Sequence, residues 1–443
     1  MSLAVAFTLM VNVLITARFL GPVGRGQLAL VMSIAVVTST LAGLSLDQAN
    51  VNMGSVHPHV RRALATNALL FSALLGVAAA GFLALVAVMA PAVTGHLPPA
   101  LMWLTVGSIP FLMARPYLAA LVEADYRFTV SNASRLISPV SGIVVNGLLA
   151  AAGALTATSA SVTWVGGQLL GLLMIMWFLS RRSAGFGRPD ADIARRTLRF
   201  GLKAHIGRAL NAANYRLDQW LLGALAGARE LGLYSVAVAC SEVLFLLPTT
   251  LAKVQRPDLA RATRSAAARK AAAVFRASVV INIPSAAALV VAAPVLSAVL
   301  FGASFNGSID DLRILAAGAF GVTAVKLLGD ALTAQRRPLL SSVAIGFGCV
   351  FTVALDLVLI PRLGGVGAAI ASTIAYSAGG VMAAALFLRT LGGRPRDLWP
   401  GRADIAKLAH VSRRLARRCW RTLSRSARVP RTSATRDGAV TEP

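Results

Sequence analysis

Long apolar runs alternate with short polar connections over most of this chain, and the pattern predicts its helices. A helix needs about 20 mostly apolar residues to cross the hydrocarbon core of a bilayer. Helices rather than strands are predicted from the length of the runs, and because backbone groups in lipid must be satisfied within the segment. We predict twelve spans, at residues 2–20, 27–47, 64–90, 100–122, 129–152, 158–180, 198–222, 230–252, 272–300, 312–333, 338–360 and 364–388.

Composition agrees with a polytopic membrane protein. Hydrophobic residues make up 56% of the chain and charged residues only 14%, whereas soluble domains carry about 25% charged residues. The net charge of +26 does not indicate nucleic acid, because most of the positive charge lies in connecting loops and in the C-terminal tail. Three cysteines, Cys240, Cys349 and Cys419, are too few and too scattered for a disulfide framework or a metal site.

The basic residues predict the orientation of the spans. If the N-terminus is cytoplasmic, 33 of the 43 Lys and Arg residues fall on the cytoplasmic side and five on the outer side. Such asymmetry is the positive-inside pattern, and it predicts that both termini are cytoplasmic. The protein is therefore predicted to be a multi-pass protein of the cytoplasmic membrane.

The predicted fold is all-α, with twelve transmembrane helices in two six-helix lobes. Gly21 and Gly26 recur at the same spacing as Gly227 and Gly232, which indicates that six helices are repeated in parallel. Parallel repeats that flank a midplane site are a transporter architecture. The predicted boundaries are an N-terminal lobe (1–180), a basic linker (181–197), a C-terminal lobe (198–390) and a basic tail (391–443).

The tail predicts an interfacial helix at about 403–423. Its apolar residues share one helical face and its Lys and Arg residues occupy the rest, a pattern typical of binding to an anionic leaflet. A disordered basic tail is the alternative. Beyond Pro430 we predict disorder.

No enzyme motif occurs in the sequence. It lacks HExxH, GxSxG and a phosphate-binding loop, and no pair of carboxylates stands near a histidine. We therefore predict neither enzymatic activity nor a cofactor or metal.

Charged residues inside predicted spans point to a binding cavity instead. Because a charge at the bilayer centre costs at least about 2.5–3.5 kcal/mol, such residues face a bundle interior or a water-filled cavity. On a helical wheel of span 198–222, Arg208, Asn211, Tyr215 and Asp218 share one arc with Gln219. Excess positive charge suits an anionic headgroup, which guanidinium groups bind bidentately. The candidate substrate-binding residues are Arg18, Arg135, Arg208, Asn211, Tyr215, Asp218, Glu242 and Lys326.

Structural interpretations of these charges remain open at this point. Arg208 can instead pair with Glu242 or Asp218 to hold helices together, and Lys326 can neutralise Asp330 one turn away. Arg135 and Arg216 lie near span ends, where a long basic side chain can snorkel to the interface.

Four stretches resemble a known superfamily. They are ARFLGPVGRGQLAL after span 1, YRLDQWLLGALAGARELGLYSVAVA across spans 7 and 8, LFGASF at the end of span 9, and LVLIPRLGGVGAAIASTIAY across spans 11 and 12. In order and spacing they are similar to one branch of the multidrug/oligosaccharidyl-lipid/polysaccharide flippases. This is the polysaccharide-exporter branch, which includes the O-antigen flippases.

The resemblance implies two lobes in a V, alternating access and export of a polyprenyl-pyrophosphate-linked oligosaccharide for cell-surface polysaccharide biosynthesis. It also implies cavity arginines on helices 1 and 7, matched by Arg18 and Arg208. Helix 1 is expected to be shorter than usual in that family.

A cation-coupled multidrug exporter of the same superfamily is the alternative function. It would need a cavity dominated by carboxylates and aromatic rings, and aromatic residues are only 6% of this chain. A membrane enzyme that builds or transfers polysaccharide would need a sizeable outer loop, and none is predicted. The expected partners are the lipid-linked oligosaccharide and anionic membrane lipids, with no nucleic acid.

Overall fold

The computed structural model describes residues 2–182, 185–402 and 404–406, and these residues are almost entirely α-helical. No β-strand occurs among them, which confirms the predicted all-α class. The helices are α1 (Ser2–Ala42), α2 (Leu46–Val56), α3 (Arg61–Met89), α4 (Pro99–Ala124), α5 (Phe128–Ala151), α6 (Ala157–Arg182), α7 (Ala191–Leu225), α8 (Gly227–Ser241), α9 (Val243–Arg261), α10 (Arg264–Leu296), α11 (Ser308–Ala334) and α12 (Pro338–Leu391).

Two of these helices each cover two predicted spans. α1 contains Gly21 at φ 66° and ψ −178°, followed by Pro22, and α12 contains Gly364 at φ 56° and ψ −131°. A positive φ is accessible to glycine at little cost because glycine has no Cβ. Both helices therefore break at a glycine, each into two segments.

Among the described residues, eight helices are long and apolar enough to cross a membrane, or nine if α8 and α9, bent by 44° at their junction, form one span. This count differs from the predicted twelve because α1 and α12 are each counted once and because α7 carries too many polar residues. The chain is a multi-pass membrane protein, and the arrangement of twelve spans stays a prediction.

Helices replace part of the predicted linker at 181–197. α6 continues to Arg182, and α7 begins at Ala191 because the Asp190 side chain accepts a hydrogen bond from the Ile193 backbone N–H at 2.9 Å. A capping carboxylate satisfies one of the unpaired amides of a helix start. The amphipathic helix predicted at about 403–423 lies outside the described residues apart from 404–406.

The helices pack into one bundle with two chemically different ends. We call the end that holds Gly21, Gly26, Gly227 and Gly232 the glycine end, and the opposite end, where α3 begins at Arg61, the basic end. α1 packs against α7 and α8, so the first half of the chain contacts the second half through these helices. Many large apolar side chains on the outside of the bundle are exposed, as expected for a surface in contact with lipid.

Candidate functional site

A cavity of about 680 Å³ opens at the basic end of the bundle. Its wall is built by α2, α4, α5 and α7, so both halves of the chain contribute to it. Two arginines and two carboxylates line it together with polar groups such as Asn52 and Ser55. We call it the basic-end cavity, and its charged residues are Asp47, Glu123, Arg135 and Arg208.

The Arg208 guanidinium on α7 donates a hydrogen bond to the Asp47 carboxylate in the first turn of α2. A helix start favours a carboxylate, because its unpaired N–H groups carry partial positive charge. The two backbones come close here: a Cβ on Gly201 would lie 2.4 Å from the Leu44 carbonyl oxygen. Neither side chain is fully buried, since Arg208 is 34% and Asp47 18% exposed. The pair therefore joins the two halves at the cavity wall.

The second pair lies within the first half. Arg135 on α5 donates to Glu123 near the end of α4 at 2.5 Å, and the same carboxylate oxygen accepts from the Ser131 hydroxyl. The Arg135 side chain is about half exposed. Each cavity arginine thus has one carboxylate partner, and the four side chains together are neutral when all are ionised.

Tyr215, Lys326 and Glu242 lie elsewhere, in the second half of the chain. The Lys326 ammonium stands 4.7 Å from the centre of the Tyr215 ring, and the rings of Tyr215 and Tyr376 are 5.9 Å apart. Glu242 forms an ion pair with Arg216 at 3.4 Å. These residues form a cation–π and aromatic cluster that the basic-end cavity does not include.

Asp218 is deeply buried, with 1% of its surface exposed. One carboxylate oxygen accepts from the Tyr234 hydroxyl at 2.6 Å, and the other from the Gln219 backbone N–H at 2.8 Å. The Ser372 hydroxyl lies 3.4 Å from the first oxygen. Asn211, two helical turns before Asp218 on the same face of α7, is partly buried. The predicted stripe therefore runs from the cavity into the core of the second half.

Arg18 lies at the glycine end, far from the other candidate arginines. Its Nη1 donates to the Val299 backbone carbonyl at 2.8 Å. Of the eight predicted site residues, the structure brings Arg135 and Arg208 into one cavity and leaves the other six outside it. Their roles in binding stay predictions.

The structure also shows which ion pairs the charged residues of the predicted spans form. Arg208 pairs with Asp47 and not with Glu242 or Asp218, whose partners are given above. Asp330 does not neutralise Lys326, because its carboxylate pairs with Arg256 on α9. Helical spacing relates residues of a single helix, whereas these pairs form between helices.

Two further arginines have a buried Nε atom that the helical pattern of the sequence did not reveal. Arg25 on α1 is 7% exposed, its Nε has no hydrogen-bond partner among the described residues, and a neighbouring charge is that of Arg216. Arg115 on α4 likewise has a buried Nε without a partner, close to Arg135. Buried polar groups without partners are rare in folded proteins. Arg25 lies one helical turn before the buried Leu28 and Ala29, and this periodicity after Gly21 places it inside the bundle.

Among the described residues, no group of three His, Cys, Asp or Glu side chains is arranged to hold a metal ion. The buried carboxylate of Asp356 on α12 has no hydrogen-bond partner on either oxygen within the described part of the chain.

Comparison with known proteins assigns the chain to a family. Residues 15–310 match the family model described as "Polysaccharide biosynthesis protein". A search of curated protein sequences finds no match.

Solved structures show the same fold at low sequence identity. The lipid II flippase MurJ in an inward closed conformation superposes with a TM-score of 0.74 at 12% identity, covering 90% of this chain and 88% of that one. A multidrug resistance MATE family transporter of the MOP superfamily gives 0.68 at 14% identity in its inward-facing conformation, covering 87% and 94%. A MATE family transporter of the MOP superfamily in an outward-facing conformation gives 0.57 at 13% identity, covering 88% and 94%.

Proposed function

The chain belongs to the polysaccharide biosynthesis protein family, and from this premise we propose that it exports a polyprenyl-pyrophosphate-linked oligosaccharide across the cytoplasmic membrane. The charged head of such a lipid cannot cross hydrocarbon unaided, because removing an ion from water costs many kcal/mol. A cavity open to one side at a time keeps the head hydrated and paired while the polyprenyl tail stays in lipid. Alternating access of this kind is transport and involves no enzymatic step.

One observation carries the proposal: Arg208 and Arg135 line the same cavity, and each holds a carboxylate that a ligand can replace. A volume of about 680 Å³ is within the range of small-molecule sites, roughly 300–1,000 Å³. It suits a diphosphate and the first sugar. Guanidinium groups bind phosphate through two parallel hydrogen bonds, which are among the strong ones.

The ion pairs explain how binding leads to movement. A diphosphate that enters the cavity competes with Asp47 for Arg208 and with Glu123 for Arg135. Because Arg208 and Asp47 lie on α7 and α2, replacing Asp47 removes a contact between the two halves of the chain. Entry of the head from the basic end is thus coupled to opening at that end, and the Arg208–Asp47 pair can re-form only when the head has left Arg208. Arg115, whose Nε has no hydrogen-bond partner among the described residues, is a further cation close to Arg135.

The orientation follows from the charge distribution. We assign the basic end to the cytoplasm, with twelve spans in two six-helix lobes and both termini inside, since 33 of 43 Lys and Arg residues then face the cytoplasm. Cysteines at Ser265 and Gly307 test the assignment by labelling in intact cells. Gly307→Cys should react with an impermeant maleimide and Ser265→Cys should not, and the reverse outcome would overturn the assignment.

A cation-coupled drug exporter is less well supported. The aromatic residues that it would use, Tyr215 and Tyr376, line a space of only about 10 Å³, which is too small for a drug molecule. Lys326, which lies against Tyr215, would also repel a cationic drug.

Binding to the purified protein tests the proposed site. The probe is a fluorescent polyprenyl-diphosphate-linked monosaccharide, added to protein in nanodiscs. Arg208→Ala and Arg135→Ala should each raise Kd by about tenfold or more, since a charge-assisted hydrogen bond contributes ~1.5–3 kcal/mol and tenfold is 1.4 kcal/mol. Arg313→Ala, an exposed arginine outside the cavity, is the matched control and should bind like wild type. Equal affinity for Arg208→Ala and wild type would refute the site.

A further inference from the structure

Two hydrogen bonds join the halves of the chain at the glycine end. The Arg18 guanidinium donates to the Val299 carbonyl at 2.8 Å, and the Trp220 indole N–H donates to the Val93 carbonyl at 2.7 Å. In the first bond the donor lies in the first half and the acceptor in the second. In the other bond the direction is reversed.

The two acceptors occupy equivalent positions. Val93 and Val299 are 206 residues apart, the same offset that separates Gly21 from Gly227. Val93 lies in the 3-10 turn that follows α3, and Val299 in the single π-turn that follows α10. The last carbonyls of a helix lack partners within the helix. Each is therefore available to a side chain from the other half.

The two donors, Arg18 and Trp220, do not occupy equivalent positions in the two halves. Trp220 corresponds to Leu14 by the same offset, and Leu14 lies one helical turn before Arg18. Two different residue types, one turn apart on equivalent helices, thus reach equivalent carbonyls.

Backbone contacts beside the hydrogen bonds show the same reciprocity. A Cβ on Gly26 would lie 1.6 Å from the Ala228 carbonyl oxygen, and a Cβ on Gly232 would lie 1.8 Å from the Pro22 carbonyl oxygen. Pro22 and Ala228 are again 206 residues apart, as are Gly26 and Gly232. When residue i contacts j and the equivalent of j contacts the equivalent of i, the interface is isologous and has a two-fold axis. Here such an interface lies within one chain.

We propose that the Arg18–Val299 and Trp220–Val93 hydrogen bonds are the two equivalent arms of one latch, which holds the glycine end closed. Because the arms lie on opposite sides of the same local two-fold axis, separation of the halves at this end breaks both of them. The glycine contacts between them let the two backbones meet closely enough for both side chains to reach. Arg18 is then a gate residue at the glycine end, whatever the substrate.

The latch is tested on protein without substrate, so the result does not depend on the proposed function. Spin labels on Ala154→Cys and Asn306→Cys, exposed positions of the two halves at the glycine end, report the distance between the halves by pulsed electron resonance. The background replaces the native cysteines by alanine at Cys240, Cys349 and Cys419.

Two substitutions remove one arm each. Trp220→Phe keeps an aromatic ring and removes the N–H donor, and Arg18→Met keeps the side-chain length and removes the guanidinium. Each should increase the ratio of molecules with a long label distance (open) to those with a short one (closed) by roughly two- to tenfold. That is the effect that the loss of one hydrogen bond has on an equilibrium. The double variant should increase it by the product of the two effects, because both arms act on one opening. Arg18→Lys, which keeps a donor, should have a smaller effect than Arg18→Met.

Matched controls use the same residue types at the same end. Trp103→Phe on α4 changes a largely exposed ring and Arg313→Met on α11 removes a group that pairs with Asp310 of its own helix, so both should leave the distances unchanged. A double variant with the wild-type distance distribution would overturn the latch. So would controls that shift the distribution as much as the latch variants do.

Discussion

Arg208 and Asp47 form an ion pair across 161 residues of sequence, and this pair closes one wall of the basic-end cavity. The same contact has two consequences. It neutralises the charge of a partly buried guanidinium, and it fastens α7 to the start of α2. An anion that displaces Asp47 therefore changes both charge and packing at once.

Removing Arg208 should abolish export and leave folded protein in the membrane. The cavity then loses a bidentate phosphate contact, whereas Asp47 is partly exposed and can remain hydrated. Export by cells and membrane abundance are measured for Arg208→Ala and for a double variant that also carries Asp47→Asn. Both should fail to export. If the double variant regains export, Arg208 serves only to neutralise Asp47 and the binding assignment is wrong.

Arg208→Lys should recover only part of the lost transport. Lysine keeps the positive charge but loses the planar fork that matches two phosphate oxygens. We expect a Kd for the diphosphate lipid between those of wild type and Arg208→Ala, measured in nanodiscs. A Kd for Arg208→Lys equal to that of wild type would show that charge alone is sufficient.

Substitution by methionine should affect the free energy of unfolding differently at Arg25 and at Arg61. Arg25 is buried, and no ion pair with it is found among the described residues, so Arg25→Met should leave the free energy of unfolding unchanged or raise it. Arg61 donates to Gly54, Asp125 and Ala124 at 2.7–3.0 Å, so Arg61→Met should lower it by about 1–3 kcal/mol. Thermal unfolding in nanodiscs measures both. An equal decrease in the free energy of unfolding for both variants would show that Arg25 has a structural partner.

The close glycine contacts predict a second contrast. Gly26→Ala and Gly232→Ala would drive a methyl group into a backbone carbonyl of the other half and should cost about 1–3 kcal/mol or more. Gly81→Ala and Gly166→Ala are the matched controls, because no atom lies within 4 Å of a Cβ at either helical position. These controls should be neutral or stabilising by about 0.5–1 kcal/mol. Thermal unfolding of the four variants distinguishes crowding from a general effect of alanine.

The sequence predicted the helical class because the apolar runs are long and local. The gap between the predicted spans 2–20 and 27–47 contains Gly21, where α1 breaks, and the repeated spacing of Gly21 and Gly227 is visible without a structure. It did not predict that these segments contact each other, because spacing alone does not define how two helices meet.

The ion pairs of the site were less predictable than the helices, because they too depend on how separate helices meet. Helical periodicity placed Arg208 on a polar stripe, but its partner Asp47 lies on another helix, and no property of span 198–222 identifies it. Arg25 lies between the predicted spans 2–20 and 27–47, so the span pattern did not predict its burial. In the structure α1 resumes directly after Gly21 and carries Arg25 into the bundle.

Transport by the purified protein tests the central claim most directly. The measurement is the rate at which a fluorescent polyprenyl-diphosphate-linked oligosaccharide moves between the leaflets of proteoliposomes, followed by quenching from the outside. We predict movement well above that in protein-free vesicles for wild type and for Arg313→Ala, and movement at the protein-free rate for Arg208→Ala. Movement at the protein-free rate with wild type, or at the wild-type rate with Arg208→Ala, would contradict the account.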